Sequence, residues 1–326
     1  MSQLVGRLPP AARFFASVAC ACGLAPLVLV LFLLSEARGQ SAGDAPEYWV
    51  LSTQDCAQVL GSDAPLPLRA HRMEMGGLTP RDPAELLARV AGRPVIFLLH
   101  GSYIPAGRAT VEGQQIRNDL ASQGAIPPNA VVIEFEWPSL LVRANFVRDA
   151  NEKTMLAFAT GYHLARLLQS FPPGSRVSLI GHSHGGLAVL SALHLLGGGT
   201  LHVGGIAARL PANGPHLRLR AVVMAPACDR QWRQPGERLD RAITASEGIL
   251  CLYNPLDPVL VIHPFGRYSD HRRALGKMGM SRAGPTDGRY VERGIGLKIG
   301  VRHTFRGTTA NPVIARWFAP YTWTGE

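Results

Sequence analysis

Lysine is nearly missing from this chain: of 33 basic residues in 326, only Lys153, Lys277 and Lys298 are lysines, and arginine supplies the rest. The arginines are dispersed, with no basic cluster interleaved with aromatics, so the +10 net charge does not describe a nucleic-acid surface. Attraction to an anionic membrane face is one use for such a charge, and simple solvation is the other. Cysteine is scarce as well. Cys20 and Cys22 fall in an apolar stretch, leaving Cys56, Cys228 and Cys251 for the folded part. That odd set does not make a disulfide framework, and Cys228 and Cys251 read as small apolar core residues with no obligatory bridge. Internal repeats and long low-complexity linkers are also missing, which excludes solenoids and strings of small modules.

What the chain does have is a hydrophobic content of 47%, enough for one large core. Apolar runs at 47–53, 94–100, 131–136, 176–181, 219–225, 248–254 and 295–301 read as strands, and helical stretches separate them. Alternation of this kind predicts an α/β fold, a doubly wound, mostly parallel sheet flanked by helices. Thr79-Pro80-Arg-Asp82 offers an N-cap and a first-turn proline for a helix carrying Leu86, Leu87 and Val90. Asp149-Ala-Asn-Glu152 reads as the cap of a longer helix with its apolar face from Met155 to Leu168. Pro- and Gly-rich stretches near 61–67 and 211–215 read as loops.

The segment Val177-Ser-Leu-Ile-Gly-His-Ser-His-Gly-Gly186 runs a buried strand directly into Gly181-x-Ser183-x-Gly185. A serine on a sharp strand-to-helix turn has strained backbone angles and needs small neighbours, which is the form of a nucleophile elbow. The helix that follows carries Leu187 to Leu196 and stops at Gly197-Gly-Gly199. An attacking serine also requires a base, a group that orients the base, and fixed donors for the oxyanion. Arg93 to Ser102 reads as a strand ending in His100-Gly101, and the backbone amides of Ser102 and His184 are the candidate oxyanion donors. His100 reads as a structural residue bonding its own loop.

Gly248 to Asp257 is a strand that runs into a rigid turn between Pro255 and Pro258, and Asp257 is the candidate orienting carboxylate. Capping of local amides is its alternative role, and Asp229 is its rival. His303 lies after the 295–301 run and before a helix around 311–318, and is the candidate base. His263 and His271 compete with it, but follow Asp257 too closely. Ser183, Asp257 and His303 stand in the chain order that an elbow-bearing sheet uses. His182 and His184 form H-x-H, which on a strand could begin a metal site; Gly185 and Gly186 occupy the places of further ligands, so both imidazoles are assigned to the pocket entrance. Nothing in the pattern calls for a metal or cofactor.

With these residues the chain resembles the α/β-hydrolase superfamily of serine hydrolases, over most of its length after residue 45. Within it the chain is similar to a bacterial group of undefined substrate that carries a Phe-x-Trp-Pro-Ser segment, here Phe135-Glu-Trp-Pro-Ser139. That pattern also has an aspartate near Asp257 and a glycine-spaced stretch like Ala274-Leu-Gly-Lys-Met-Gly279. The resemblance implies a doubly wound sheet with Ser183 on the elbow, and does not imply a substrate. His184 departs from it, standing where many relatives carry Met or Leu.

Phe14 to Leu34 is an uncharged apolar run preceded by Arg7 and Arg13. Its length suits an uncleaved anchor, and the small residues after it suit a cleaved signal. Residues 1–40 are therefore expected to direct export, with 45–326 as a catalytic domain outside the cytoplasm, anchored or released. The expected chemistry is cleavage of an ester or related acyl bond in a small-molecule or lipid-like substrate, by Ser183, His303 and Asp257. Amide cleavage and acyl transfer are variants of it, and a membrane-tethered binding protein without turnover is the alternative from another class. Residues 200–217 and 263–292 are candidate caps over the site.

Overall fold

The computed structural model describes residues 45–326 apart from 57–59, 63, 65, 141–145, 213 and 281–287. The apolar run at 14–34 lies outside the described residues. Among those described, no helix is long and apolar enough to cross a membrane.

Nine strands form the central sheet: β1 (Glu47–Ser52), β2 (Arg69–Glu74), β3 (Gly77–Arg81), β4 (Val95–Leu99), β5 (Val131–Glu136), β6 (Arg176–His182), β9 (Arg218–Met224), β10 (Gly248–Tyr253) and β11 (Tyr290–Gly294). Their order across the sheet is β11-β10-β9-β6-β4-β5-β1-β2-β3. Every pairing from β11 to β1 is parallel, and only β2 runs against its neighbours. The short pair β7 (Leu201–Val203) and β8 (Ile206–Ala208) stands apart as a hairpin. This is a mostly parallel sheet flanked by helices, an α/β fold.

Because side chains alternate across a strand, the central strands divide their residues between two cores. Val95, Phe97 and Leu99 of β4 enter one core while Ile96 and Leu98 enter the other; β10 divides the same way, Ile249 and Cys251 against Leu250 and Leu252. Helices α3 (Phe146–Leu168) and α4 (His184–Leu196), with the one-turn α5 (Leu275–Met278), cover the first face, and α2 (Ala106–Ser122) with α8 (Pro312–Ala315) covers the second. Cys56, Cys228 and Cys251 are all buried thiols outside any disulfide, and burial pushes each of them upward.

Four sequence expectations are corrected. The last strand is β11, not 295–301. Ile295 and Ile299, one helical turn apart, both enter the second core, and Gly296–Ile299 is a short helix, α6, that ends at Gly300 with φ +63°. The alternation read as a strand instead leaves Leu297 and Val301 exposed. Residues 69–81 form the β2–β3 hairpin, so Thr79 and Pro80 belong to an edge strand, where proline is tolerated. The cap of α1 (Pro83–Val90) is Asp82, whose side chain accepts from the Ala84 amide at 2.8 Å. Helix α3 begins at Phe146, so Asp149 lies inside its first turn, fully buried beside Lys153 at 3.9 Å, and does not cap it. Of the two candidate caps, the hairpin within 200–217 contributes nothing to the cavity described below, whereas 263–269 lines it.

Helix α3 approaches α4 so closely that a Cβ at Gly161 would lie 2.6 Å from the Ala188 carbonyl oxygen and 2.7 Å from Ser191 Cβ. Overpacking of this kind costs about 1–3 kcal/mol. Gly161→Ala is therefore expected to lower the unfolding free energy by that amount, read as the shift in chemical-denaturation midpoint multiplied by the slope; an unchanged midpoint would show that the two helices separate freely.

Candidate active site

Ser183 is the single residue between β6 and α4, and its backbone sits at φ 55°, ψ −120°. Few non-glycine residues adopt such angles, at a cost of about 1–3 kcal/mol. The turn is held from both sides: the Ser183 amide donates to the Met224 carbonyl at 2.9 Å, and the Ala227 amide donates to the Ser183 carbonyl at 3.1 Å. Its tightness requires Gly185, where a Cβ would meet the Leu99 carbonyl oxygen at 2.2 Å.

His303 comes from the loop between α6 and α7 (Phe305–Thr309), and its Nε2 lies 3.0 Å from Ser183 Oγ. Its Nδ1 lies 2.5 Å from Asp257 Oδ2. Ser183, His303 and Asp257, separated by 74 and 46 positions in sequence order, thus form one continuous hydrogen-bonded chain at the carboxyl edge of the sheet. Asp257 also performs the capping considered for it, because Oδ1 accepts from the amides of Val259 and Leu260 at 2.9 and 3.3 Å. One oxygen holds the turn and the other holds the ring. Burial of this carboxylate is tolerable because both oxygens are bonded.

Asn254 was not singled out as a site residue, although it directly follows β10. Its Nδ2 donates to the carbonyls of Gly300 and Arg302 at 2.9 and 3.2 Å, and so fixes the loop that carries His303. Trp137 is a second such residue, from the Phe-x-Trp-Pro-Ser segment. Its indole Nε1 donates to the His100 carbonyl at 3.0 Å and its ring stacks on the His100 imidazole at 5.6 Å. Ser139 continues the brace: its carbonyl accepts from the Tyr103 amide at 2.7 Å and its hydroxyl donates to the Ile104 carbonyl at 2.9 Å. The segment therefore holds the 100–104 loop in place. Asp149 reaches the same loop at the Tyr103 hydroxyl; burial first, and then this hydrogen bond, hold that phenol above its usual range.

Neither the Ser102 amide nor the His184 amide has an acceptor among the described residues, and both residues line the cavity over Ser183. Other imidazoles crowd the site. His100 Nδ1 donates to the Gly101 carbonyl at 2.8 Å, as expected of a structural residue. His182 lies against the His303 ring at 4.6 Å and against Phe305 at 5.9 Å. His184 opens α4, so the H-x-H pair is divided by the strained serine; its Nδ1 meets Ser102 Oγ at 2.9 Å and its Nε2 meets Thr154 Oγ1 at 3.3 Å. Burial is the main cause that keeps these three rings neutral, lowering His100 to about 4, His184 to about 3 and His182 well below its ordinary value. The neighbouring His303 pushes His182 and His184 further in the same direction.

The rivals at Asp229 and His263 are paired with one another: His263 Nε2 lies 2.7 Å from Asp229 Oδ1. His271 turns instead to the Pro264 carbonyl at 3.2 Å. Among the described residues, no group of His, Cys, Asp and Glu is arranged to hold a metal ion.

No protein-family profile and no curated protein matches this sequence. Among solved structures, the chain is similar to one described as a truncated form of carbohydrate esterase from gut microbiota, at 13% identity over 81% of this chain and 94% of that chain, with a TM-score of 0.34. A likeness of that degree establishes neither a shared fold nor a shared activity.

Histidines that are neutral when buried take up protons only on unfolding. Stability they contribute is intact above the unfolded value near 6.5 and is lost as pH falls toward the folded values of about 4 for His100 and about 3 for His184. The thermal midpoint is expected to fall between pH 6.5 and pH 4, and to fall less in His184→Asn, which keeps a partner for Ser102 without an ionisable ring. Equal pH slopes in the two proteins would contradict neutral burial of His184.

Proposed function

We propose that this protein is a serine hydrolase with an α/β-hydrolase fold that cleaves an ester or related acyl bond through an acyl-enzyme intermediate. The observation that carries the reading is the hydrogen-bonded chain from Ser183 Oγ through His303 to Asp257. Ser183 Oγ attacks the carbonyl carbon as His303 Nε2 takes its proton, and Asp257 stabilises the imidazolium that results. The Ser102 and His184 amides receive the oxyanion. His303 then gives the proton to the departing alcohol. Water, deprotonated by the same ring, releases the acid and restores Ser183.

Two further features support turnover over a binding role. The backbone of Ser183 is strained, and a purely structural turn has no need of a non-glycine residue there. The surrounding rings His100, His182 and His184 are neutral, which leaves a proton taken up at His303 without like-charged imidazoles beside it. The substrate proposed is a small-molecule or lipid-like acyl compound. In this reading residues 45–326 form the catalytic domain, and the apolar run within 1–40 exports it, leaving it beyond the cytoplasmic membrane as an anchored or released enzyme.

A fluorophosphonate is expected to label the protein at Ser183, and Ser183→Ala to abolish labelling, as read by intact mass. On p-nitrophenyl butyrate, Asp257→Asn is expected to lower kcat by about 10⁴, the effect of losing the carboxylate that fixes the base. Folded protein that neither reacts with the probe nor turns over activated esters would instead support the tethered binding protein.

A further inference from the structure

The cavity over Ser183 is lined by a second imidazole, His263, that hydrolysis at Ser183 does not use and that a buried carboxylate holds from behind. His263 Nε2 meets Asp229 Oδ1 at 2.7 Å, and the other oxygen of this fully buried aspartate accepts from the Asp270 amide at 2.9 Å. The Trp232 indole meets the His263 ring edge-on, with centroids 6.5 Å apart at 72°. A carboxylate that takes the Nε2 hydrogen leaves the lone pair of the neutral ring on Nδ1. That nitrogen has no partner among the described residues and is not sealed in the interior, while His263 lines the same cavity as Ser183 and His303.

His303 is built the same way: one ring nitrogen faces a buried carboxylate and the other faces a hydroxyl, that of Ser183. At His263 no hydroxyl among the described residues fills the corresponding place. We infer that a ligand fills it, and that His263, oriented by Asp229, is a recognition subsite accepting a hydrogen bond from a hydroxyl group of the substrate. This rests on Ser183 being the nucleophile, and it narrows the substrate to hydroxylated esters, such as those of a polyol or a hydroxy acid. An anionic group is not what the pair selects. A carboxyl group already stands directly behind the ring, so a second one brought to the other nitrogen would be crowded by its like. Thr154, Tyr268 and Ser269 also line the cavity, giving a hydroxylated group further polar neighbours.

The test compares kcat/KM on full-length protein for two matched pairs: glycerol 1-monobutyrate against propyl butyrate, with the hydroxyls in the alcohol part, and ethyl 3-hydroxybutyrate against ethyl butyrate, with the hydroxyl in the acyl part. The readout is the ratio of hydroxylated to parent ester, which general damage to the enzyme does not move. One pair is expected to show a preference of about fivefold to tenfold, the size of a single hydrogen bond, which locates the hydroxyl in the alcohol or the acyl part. His263→Phe is expected to bring that ratio toward one, and His263→Gln, whose amide oxygen still accepts, to keep part of it. Ratios near one in the unmodified protein for both pairs, or ratios that His263→Phe leaves unchanged, overturn the subsite. If none of the esters is turned over and a fluorophosphonate leaves Ser183 unlabelled, the hydrolase reading fails separately. The subsite is then decided by titrating glycerol into histidine-labelled protein: a saturable shift of the His263 ring resonance supports it, and no shift overturns it.

Discussion

One residue separates a buried strand from a buried helix at the middle of the sheet, and the rest of the site is arranged around that turn. Ser183 takes a backbone conformation that few side chains adopt, so its strain has to be offset by contacts that exist only in the folded protein. They are the amide and carbonyl bonds to the end of β9 and its loop, and the contact of Gly185 with the backbone at Leu99 and His100. The same contacts bring the carboxyl ends of β4, β6 and β9 together. The strand order is therefore part of the site: β4 brings the Ser102 loop to one side of Ser183, and β9 followed by β10 brings Asp257 to the other.

Burial sets the electrostatics that follow. Asp257 is satisfied in the interior by two backbone amides and one imidazole, and Asn254 secures the loop from which that imidazole comes. The other rings close to Ser183 have no carboxylate partner, and desolvation makes them neutral hydrogen-bonding groups. A crowded set of histidines is thereby sorted by its neighbours: two rings stand against buried carboxylates, and the others against hydroxyls, carbonyls or rings.

Those neighbours also explain what was legible in the sequence. The parallel strands were readable because both faces are buried, so continuous runs such as Val95–Leu99 have no polar interruption. The β2–β3 hairpin was not, because its exposed edge is charged and is held by ion pairs such as Arg72 with Glu47 at 3.0 Å. Residues 295–301 misled because isoleucines at 295 and 299 fit a helical turn as well as an alternating strand, and only the core beneath them decides. Asp149 looked like a cap because acidic residues near a helix start usually are one; burial beside Lys153 and Tyr103 is a tertiary property that no local pattern carries. Trp137 and Ser139 were recognised as a motif, but their task of bracing the 100–104 loop appears only when β4 and β5 lie side by side.

The two histidine–aspartate pairs mark the limit of reasoning from chain order. Order favoured Asp257 and His303 over Asp229 and His263, yet both pairs form and both imidazoles face one cavity. What distinguishes them is the ring nitrogen each leaves free and what meets it. Asp257 engages Nδ1 and leaves Nε2 for Ser183, whereas Asp229 engages Nε2 and leaves Nδ1 without a protein partner among the described residues. A rotation of the ring, invisible in sequence, thus separates an imidazole whose second nitrogen meets a hydroxyl of the protein from one whose second nitrogen meets none among the described residues.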